Sequence, residues 1–291
     1  EENLVAATAA GAAYNDKNVA GANAVGYTGV ALRGTGAGNY TIADTAQGTG
    51  TITKRALTLG AVTSEQTKTY DGTTAADTSK FHAALNNAVA GDSVTAAATG
   101  ATYNDKNVAR ANRIDYTGVA LAGADAGNYS LAATTAQGTG TITKRTLTVG
   151  TVAAQTKIYD GNTSADAAKF RATLAGFVAG EEGSATATAA GAAYNDKNVA
   201  RANAVSYTGV ALTGTGAGNY AVVDTAQGAG TITPRALTLG EVAAQTKTYD
   251  GTTAADVGKF HAALTNAITG DSVTATATGA AYNSKNVAAA S

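Results

Sequence analysis

The sequence contains no cysteine, no methionine and no tryptophan. Without cysteine there is no disulfide framework and no thiolate zinc site. With both sulfur residues missing, the two main oxidation targets are gone as well, which suits life outside the cell. Charge of either sign is balanced: 20 Lys and Arg stand against 21 Asp and Glu, a formal net charge of -1. No electrostatic footprint therefore points to nucleic acid or to an anionic membrane. No apolar run approaches the ~20 residues of a membrane-spanning helix. Large aliphatic residues are scarce, and the 44% apolar fraction is mostly alanine. Such scarcity joined to high net charge would indicate disorder, but the charge is near zero and the patterning regular. The expectation is folded domains with thin cores, in which the 13 tyrosines supply much of the buried surface.

What the chain does have is a repeat. Lys68-Thr69-Tyr70-Asp71-Gly72-Thr73-Thr74 returns as Lys157-Ile158-Tyr159-Asp160-Gly161-Asn162-Thr163 and as Lys247-Thr248-Tyr249-Asp250-Gly251-Thr252-Thr253. The three tyrosines are 89 and 90 residues apart. A fixed period makes the repeat, not the chain, the unit of folding. Asp-Gly is a turn signal, because Asp bonds its own backbone two residues on and Gly accepts positive φ. The stretch reads as a strand entering a tight turn, with Tyr70, Tyr159 and Tyr249 packed inward and their hydroxyls bonded.

Residues 56–145 and 146–235 read as two full repeats. Residues 1–55 match the C-terminal part of a repeat, and 236–291 the N-terminal part. The joins follow Thr51-Ile52-Thr53-Lys54-Arg55, Thr141-Ile142-Thr143-Lys144-Arg145 and Thr231-Ile232-Thr233-Pro234-Arg235. The single proline supports a junction there, since proline in a central strand loses a ladder bond. No flexible linker separates the copies. Residue 1 falls inside a repeat, as expected of a processed piece or a window on a longer chain. The other expectation for the two partial copies is head-to-tail completion by an identical chain.

Within a repeat, Leu57-Thr58-Leu59 opens a strand and the Tyr70 strand follows. From Asp77 to Val89, Phe81, Ala84, Leu85, Ala88 and Val89 fall at i, i+3, i+4, i+7 and i+8. This predicts a short helix capped by Asp77, with two short strands as the alternative. Period-2 alternation then takes over and is clearest in the third copy, where Val273, Ala275 and Ala277 oppose Thr274, Thr276 and Thr278. Further strands are expected around Tyr103, Ile114–Leu121, Tyr129–Leu131 and Gly138–Thr143. Copy-length differences mark loops at 180–183 and 132–134. The fold class is mainly β: tandem sandwich-like domains of about 90 residues, each with one short helix. A β-grasp-like unit is the alternative.

Five motifs resemble the YDG-type repeats of very large bacterial surface adhesins related to filamentous haemagglutinin. They are the Lys-x-Tyr-Asp-Gly stretch, Tyr103-Asn104-Asp105-Lys106-Asn107-Val108, Tyr116-Thr117-Gly118-Val119-Ala120-Leu121, Ala126-Gly127-Asn128-Tyr129, and the Thr-Ile-Thr-Lys-Arg junction. The resemblance covers essentially the whole chain. It implies a secreted or cell-surface protein whose repeats form stalk or fibre, and it carries no catalytic residues. One departure is Ser284, where the other copies have Asp16, Asp105 and Asp196.

The chemistry-bearing residues point away from catalysis. The two histidines, His82 and His261, are equivalent positions, and the intervening copy has Arg171, so a surface role is expected. Gly34-Thr35-Gly36-Ala37-Gly38 lies between predicted strands, where turn chemistry fits better than a phosphate loop. Asn15-Asp16-Lys17-Asn18 and its copies offer one carboxylate beside a lysine. Calcium takes about six to eight hard oxygens, usually with several carboxylates, so an Asx-type turn is the expectation. The repeated Lys, Tyr and Asp also raise a covalent Lys–Asp or Lys–Asn crosslink, which spacing does not establish. No catalytic, cofactor-binding or metal residue is assigned, and no cofactor is expected. The expected partners are neighbouring repeats or identical chains, with no nucleic acid and no membrane span. The alternative function is a carbohydrate- or surface-binding module that uses the threonine faces or the tyrosines.

Overall fold

Short alternating stretches broken by glycine turns favour strands of two to nine residues, and these build the molecule. The computed structural model describes residues 5–290. Among the described residues the elements are β-strands and three-residue 3-10 turns, with no α-helix. Among the described residues no helix is long and apolar enough to cross a membrane. The chain groups into two compact units: residues up to Arg145 together with Gly218–Ala221, and Thr146–Ala217 together with the residues from Val222 onward.

In the first unit, the strand Arg55–Val62 pairs antiparallel with Ala83–Asn86 and parallel with Tyr129–Leu131. A second, four-stranded sheet runs in the order Gly100–Tyr103, Arg113–Thr117, Thr135–Thr143, Glu65–Thr69. Its last pairing is parallel, from Thr139 opposite Glu65 to Thr143 opposite Thr69. A short ribbon joins Thr95–Ala97 to Ala120–Ala122. The core comprises Leu57, Tyr70, Phe81, Tyr103, Ile114, Tyr116, Tyr129 and Ile142. The Phe81 and Tyr116 rings lie 4.8 Å apart.

The long strand Thr135–Thr143 shows how a thin core holds rings. Its threonines at 135, 139, 141 and 143 face solvent, while Gly138, Gly140 and Ile142 face inward. A Cβ on Gly140 would come within 2.6 Å of Ile114 and 2.8 Å of the Tyr103 ring. Glycine in this strand is thus required by the close approach of the aromatic side chains. Gly118, at φ 61°, breaks the expected 114–121 run into two strands on either side of a turn.

The second unit repeats the plan. Gln155–Ile158 lies parallel to Thr225–Thr233, followed by Ala204–Thr208 and Gly191–Tyr194. Phe170, Tyr194, Val205, Tyr207 and Ile232 form its core. The mainly-β tandem repeat of about 90 residues, expected from the sequence, is what the chain folds into, and its sheets are curled.

Two local expectations need correction. The helix over 77–89 shrinks to one 3-10 turn, Thr78–Lys80, followed by the strand Ala83–Asn86. Asp77 caps that turn as expected, accepting from Ser79 N at 2.9 Å. Ala83 and Leu85 face inward at period two while Ala84 faces out. Alanine, compatible with either face, had filled the helical stripe. With no α-helix, the β-grasp alternative falls too. The second correction concerns the third copy. Residues 273–278, whose alternation is clearest, form no strand. The equivalent Thr95–Ala97 and Thr186–Thr188 are strands because Ala120–Ala122 and Ala211–Thr213 pair with them. No described residue supplies that partner to 273–278.

Candidate functional site

Each Tyr-Asp-Gly turn is assembled on its lysine. The Lys68 ammonium donates to Asp71 Oδ1 at 2.8 Å, to the Thr73 carbonyl and hydroxyl at 2.9 and 3.0 Å, and to the Ala75 carbonyl at 3.0 Å. It also sits 5.3 Å from the centre of the Tyr103 ring, a favourable place for a cation. Lys157 repeats this with Asp160, Asn162, Ser164 and Tyr194. Lys247 repeats it with Asp250, Thr252, Ala254 and Tyr282. The turn glycines have positive φ, 79° at Gly72, 82° at Gly161 and 77° at Gly251, as Asp-Gly requires. The lysines hold the carboxylates below the usual range. For Asp71, burial works the other way, but the bonds from Lys68 and Thr73 outweigh it. Asp160 is lowered chiefly by Lys157. Asp250 falls to about 2 under the Lys247 bond and the Thr252 bonds.

A buried glutamine ties the 3-10 turn that follows to the core. Gln66 donates to the Tyr116 hydroxyl at 2.7 Å and to the Asp77 carbonyl at 2.9 Å, and accepts from Asp77 N at 3.0 Å. Gln155 does the same with Tyr207 and Asp166. Both are nearly fully buried with their amides satisfied, as buried polar groups require.

The feature that links one copy to another is an asparagine pair. Asp105 Oδ1 accepts from Asn107 N at 2.7 Å, closing the expected Asx turn. Asn107 and Val108, both half-buried, follow in that turn. Val108 N donates to Asn219 Oδ1 at 3.0 Å, and Asn219 Nδ2 donates back to Asn107 Oδ1 at 2.8 Å. The same two-way bond joins the first partial copy to the first full one. Val19 N donates to Asn128 Oδ1 and Asn128 Nδ2 to Asn18 Oδ1, both at 2.9 Å. The tyrosine after each of these asparagines is buried, beside a half-buried Asn128 and a buried Asn219. Tyr220 meets the Tyr70 ring edge-on at 5.4 Å. The Tyr129 hydroxyl donates to Asp92 Oδ2 at 2.6 Å and accepts from Val89 N at 3.0 Å. The bond to Asp92, together with burial, raises the Tyr129 pKa. Beside this joint lies a cavity of about 250 Å³ bordered by Val19, Ile52, Arg55, Val89 and Tyr129. In the second unit the Tyr159 pKa is raised mainly by its hydrogen bond with Asp271.

The tyrosine expectation holds in part. Tyr70 is 1% exposed, Tyr159 is half-buried and Tyr249 is 60% exposed. Burial comes from the following copy, not from the turn itself. Tyr70 lies under Tyr220, and no described residue plays that part for Tyr249. His82, His261 and Arg171 all lie on the surface. The Gly34–Gly38 stretch forms a turn with Gly34 at φ 119° and a 3-10 turn at Ala37–Asn39. Ser284 takes over the turn role of the aspartates, its hydroxyl accepting from Asn286 N at 3.1 Å. Among the described residues no three His, Cys, Asp or Glu side chains gather into a metal-holding group.

Sequence reasoning assigned no role to Asn128, Asn219, Gln66 or Gln155. The available signal was their recurrence at fixed steps from the tyrosines: Gly-Asn-Tyr in the copies that contain it, and Gln-Thr-Lys-x-Tyr in every Tyr-Asp-Gly copy.

A comparison with curated proteins and with solved structures returns no match. The family model described as the YDG domain matches three times, over residues 53–136, 143–228 and 233–291. With most of its length matched, and with the Tyr-Asp-Gly turn built three times on the same lysine clamp, this chain belongs to the YDG domain family.

Proposed function

We propose that the chain is a structural repeat segment of a secreted or surface-attached bacterial adhesin or extracellular fibre, serving as stalk or filament, with a mechanical and not a catalytic role. The observation that carries this reading is the asparagine joint. The same two-way amide bond recurs at Asn18–Asn128 and at Asn107–Asn219, as expected of a module made to be concatenated. The motif resemblance to large adhesins and the absence of sulfur residues support an extracellular setting. The tyrosines weigh against the carbohydrate-binding alternative. A sugar groove would expose clustered aromatic rings, yet within residues 56–235 every tyrosine is buried except the half-buried Tyr159.

Stretching residues 1–291 by their ends in a single-molecule instrument tests the load-bearing role. Two discrete unfolding steps are expected, each lengthening the molecule by about 300 Å, the extended reach of some 90 residues. Smooth extension at low force, without steps, would contradict the proposal.

A further inference from the structure

Three asparagines stand in the pattern Asn-x-Ser/Thr: Asn39-Tyr40-Thr41, Asn128-Tyr129-Ser130 and Asn162-Thr163-Ser164. The pattern is the acceptor motif for asparagine-linked sugar, which is added on exposed loops. The structure sorts the three. Asn128 belongs to a joint: its Nδ2 donates to Asn18 Oδ1, its Oδ1 accepts from Val19 N, and Tyr129 beside it is buried. Asn39 holds the same place in its copy as the two joint asparagines, Asn128 and Asn219. Asn162 stands apart, on the turn that follows Tyr159-Asp160-Gly161, with Asn162, Thr163 and Ser164 all exposed. The equivalent Thr73, Thr74 and Ala75 of the other full copy are exposed as well, so the exposure belongs to the turn itself.

The Asn162 side chain is oriented by two donors. Its Oδ1 accepts from the Lys157 ammonium at 3.0 Å and from Ser164 N at 2.8 Å. Both neighbours are donors, so the oxygen is fixed on their side. The bond from Ser164 N closes an Asx turn across the motif. Among the described residues none accepts from Asn162 Nδ2, and none pairs with the Ser164 hydroxyl. The two defining residues of the motif also enter together, since the other copies have Thr73 with Ala75 and Thr252 with Ala254. The lysine clamp accounts for the first change, because Asn162 Oδ1 takes the bond that the Thr73 hydroxyl takes, at 3.0 Å in each. It does not account for the second. Ser164 serves the clamp only through its carbonyl, as Ala75 does.

We propose that Asn162 is a glycosylation site, the acceptor for a sugar carried on a nucleoside diphosphate. In the transfer the bond from the anomeric carbon to the phosphate oxygen breaks, and the nucleoside diphosphate leaves with its electron pair. The anomeric carbon bonds to Asn162 Nδ2, which gives up one proton. A separate glycosyltransferase performs the reaction. This chain supplies the exposed amide nitrogen and the Ser164 hydroxyl that together mark the acceptor. The clamp is undisturbed, because Oδ1 keeps both of its bonds. The sugar adds a bulky, solubilising group to the outside of one copy.

The folded 291-residue chain is incubated with a soluble asparagine glycosyltransferase and UDP-glucose, and its peptides are then mapped by mass. The expected result is one hexose on Asn162 and none on Asn128. A chain digested to peptides before the incubation takes hexose on both, because the joint that ties the Asn128 amide is gone. Ser164→Ala places there what the other two copies hold at Ala75 and Ala254. This variant is expected to keep the fold and to lose the hexose on Asn162. No hexose on Asn162 of the folded chain overturns the proposal. So does equal modification of Asn128 and Asn162 in the folded chain, or undiminished modification of Asn162 in Ser164→Ala. None of these results would touch the stalk reading, which rests on the asparagine joints.

Discussion

The lysine of each Tyr-Asp-Gly turn is the residue on which local structure depends most. Lys68 satisfies one carboxylate, two backbone carbonyls and one hydroxyl at once. Lys68→Met keeps the apolar stem and removes all of these, and is expected to cost about 2 kcal/mol, as for hydrogen bonds to charged groups. Urea unfolding measures this; a loss under about 0.5 kcal/mol, the range of ordinary surface changes, would show that the clamp is idle. The clamp also predicts an acid dependence. Asp71, Asp160 and Asp250 have folded pKa values below the unfolded value. Their contribution is therefore complete above the unfolded value of about 3.9 and is lost as pH falls through the folded values, for Asp250 about 2. Melting temperature should be flat from neutral pH down to about 5 and fall below about 4. Replacing all three aspartates by asparagine should flatten that fall. At the alkaline end the sign reverses. Tyr129 has a raised pKa beside Asp92, so its contribution is present below the unfolded value of about 10 and is lost above it. The turn itself was legible in the sequence, because Asp-Gly favours a turn with positive φ at the glycine, as at Gly72, Gly161 and Gly251. The lysine clamp was legible only in part: the repeated Lys and Asp raised a contact between them, but the two remaining main-chain acceptors, the Thr73 and Ala75 carbonyls, are announced by no side-chain pattern.

Among the elements, the segments that departed from expectation were those in which alanine carried the pattern. Ala84 and Ala88 completed a helical stripe around Phe81 and Leu85, yet the chain runs as turn and strand, with Ala84 outward. A methyl group buries too little to choose a period, and Phe81 and Leu85 at i and i+4 fit both; the pairing of Ala83–Asn86 with Arg55–Val62 decides for the strand. Threonine alternation in 273–278 predicts a strand that does not form, because a strand also needs a neighbour. The equivalents at Thr95–Ala97 and Thr186–Thr188 have one. Amide exchange distinguishes the two situations. Amides of 186–188 should be protected in the 291-residue chain, while those of 274–278 exchange far faster at low protein concentration. Equal protection would mean that the sequence pattern suffices without a partner. The strands at Gly100–Tyr103 and Thr135–Thr143 were legible because their inward positions hold tyrosine, isoleucine and obligate glycine. These leave one face for the core and one for solvent.

On the scale of the whole molecule, neighbouring copies bury each other's aromatic residues. Tyr70 and Tyr249 occupy the same place in the repeat, yet they are 1% and 60% exposed. Tyr70→Ala should cost about 3–5 kcal/mol, as large aromatic truncations in a core do, and Tyr249→Ala less than about 0.5 kcal/mol. Asn128→Ala removes both bonds of one joint and should cost about 1–2 kcal/mol, leaving the turns intact by circular dichroism. The repeat period and the junction motifs could be read from sequence alone. The joint could not, because Asn18 and Asn128 stand 110 residues apart and only folding brings them together. The central claim is that a copy is stabilised by the copies it touches. Hydrogen exchange of the Thr135–Thr143 strand, compared between residues 56–145 alone and the 291-residue chain, tests it most directly. The account predicts at least tenfold weaker protection in the isolated copy, about 1.4 kcal/mol, because Tyr70, Asn128 and Tyr129 lose their cover; equal protection in both would contradict it.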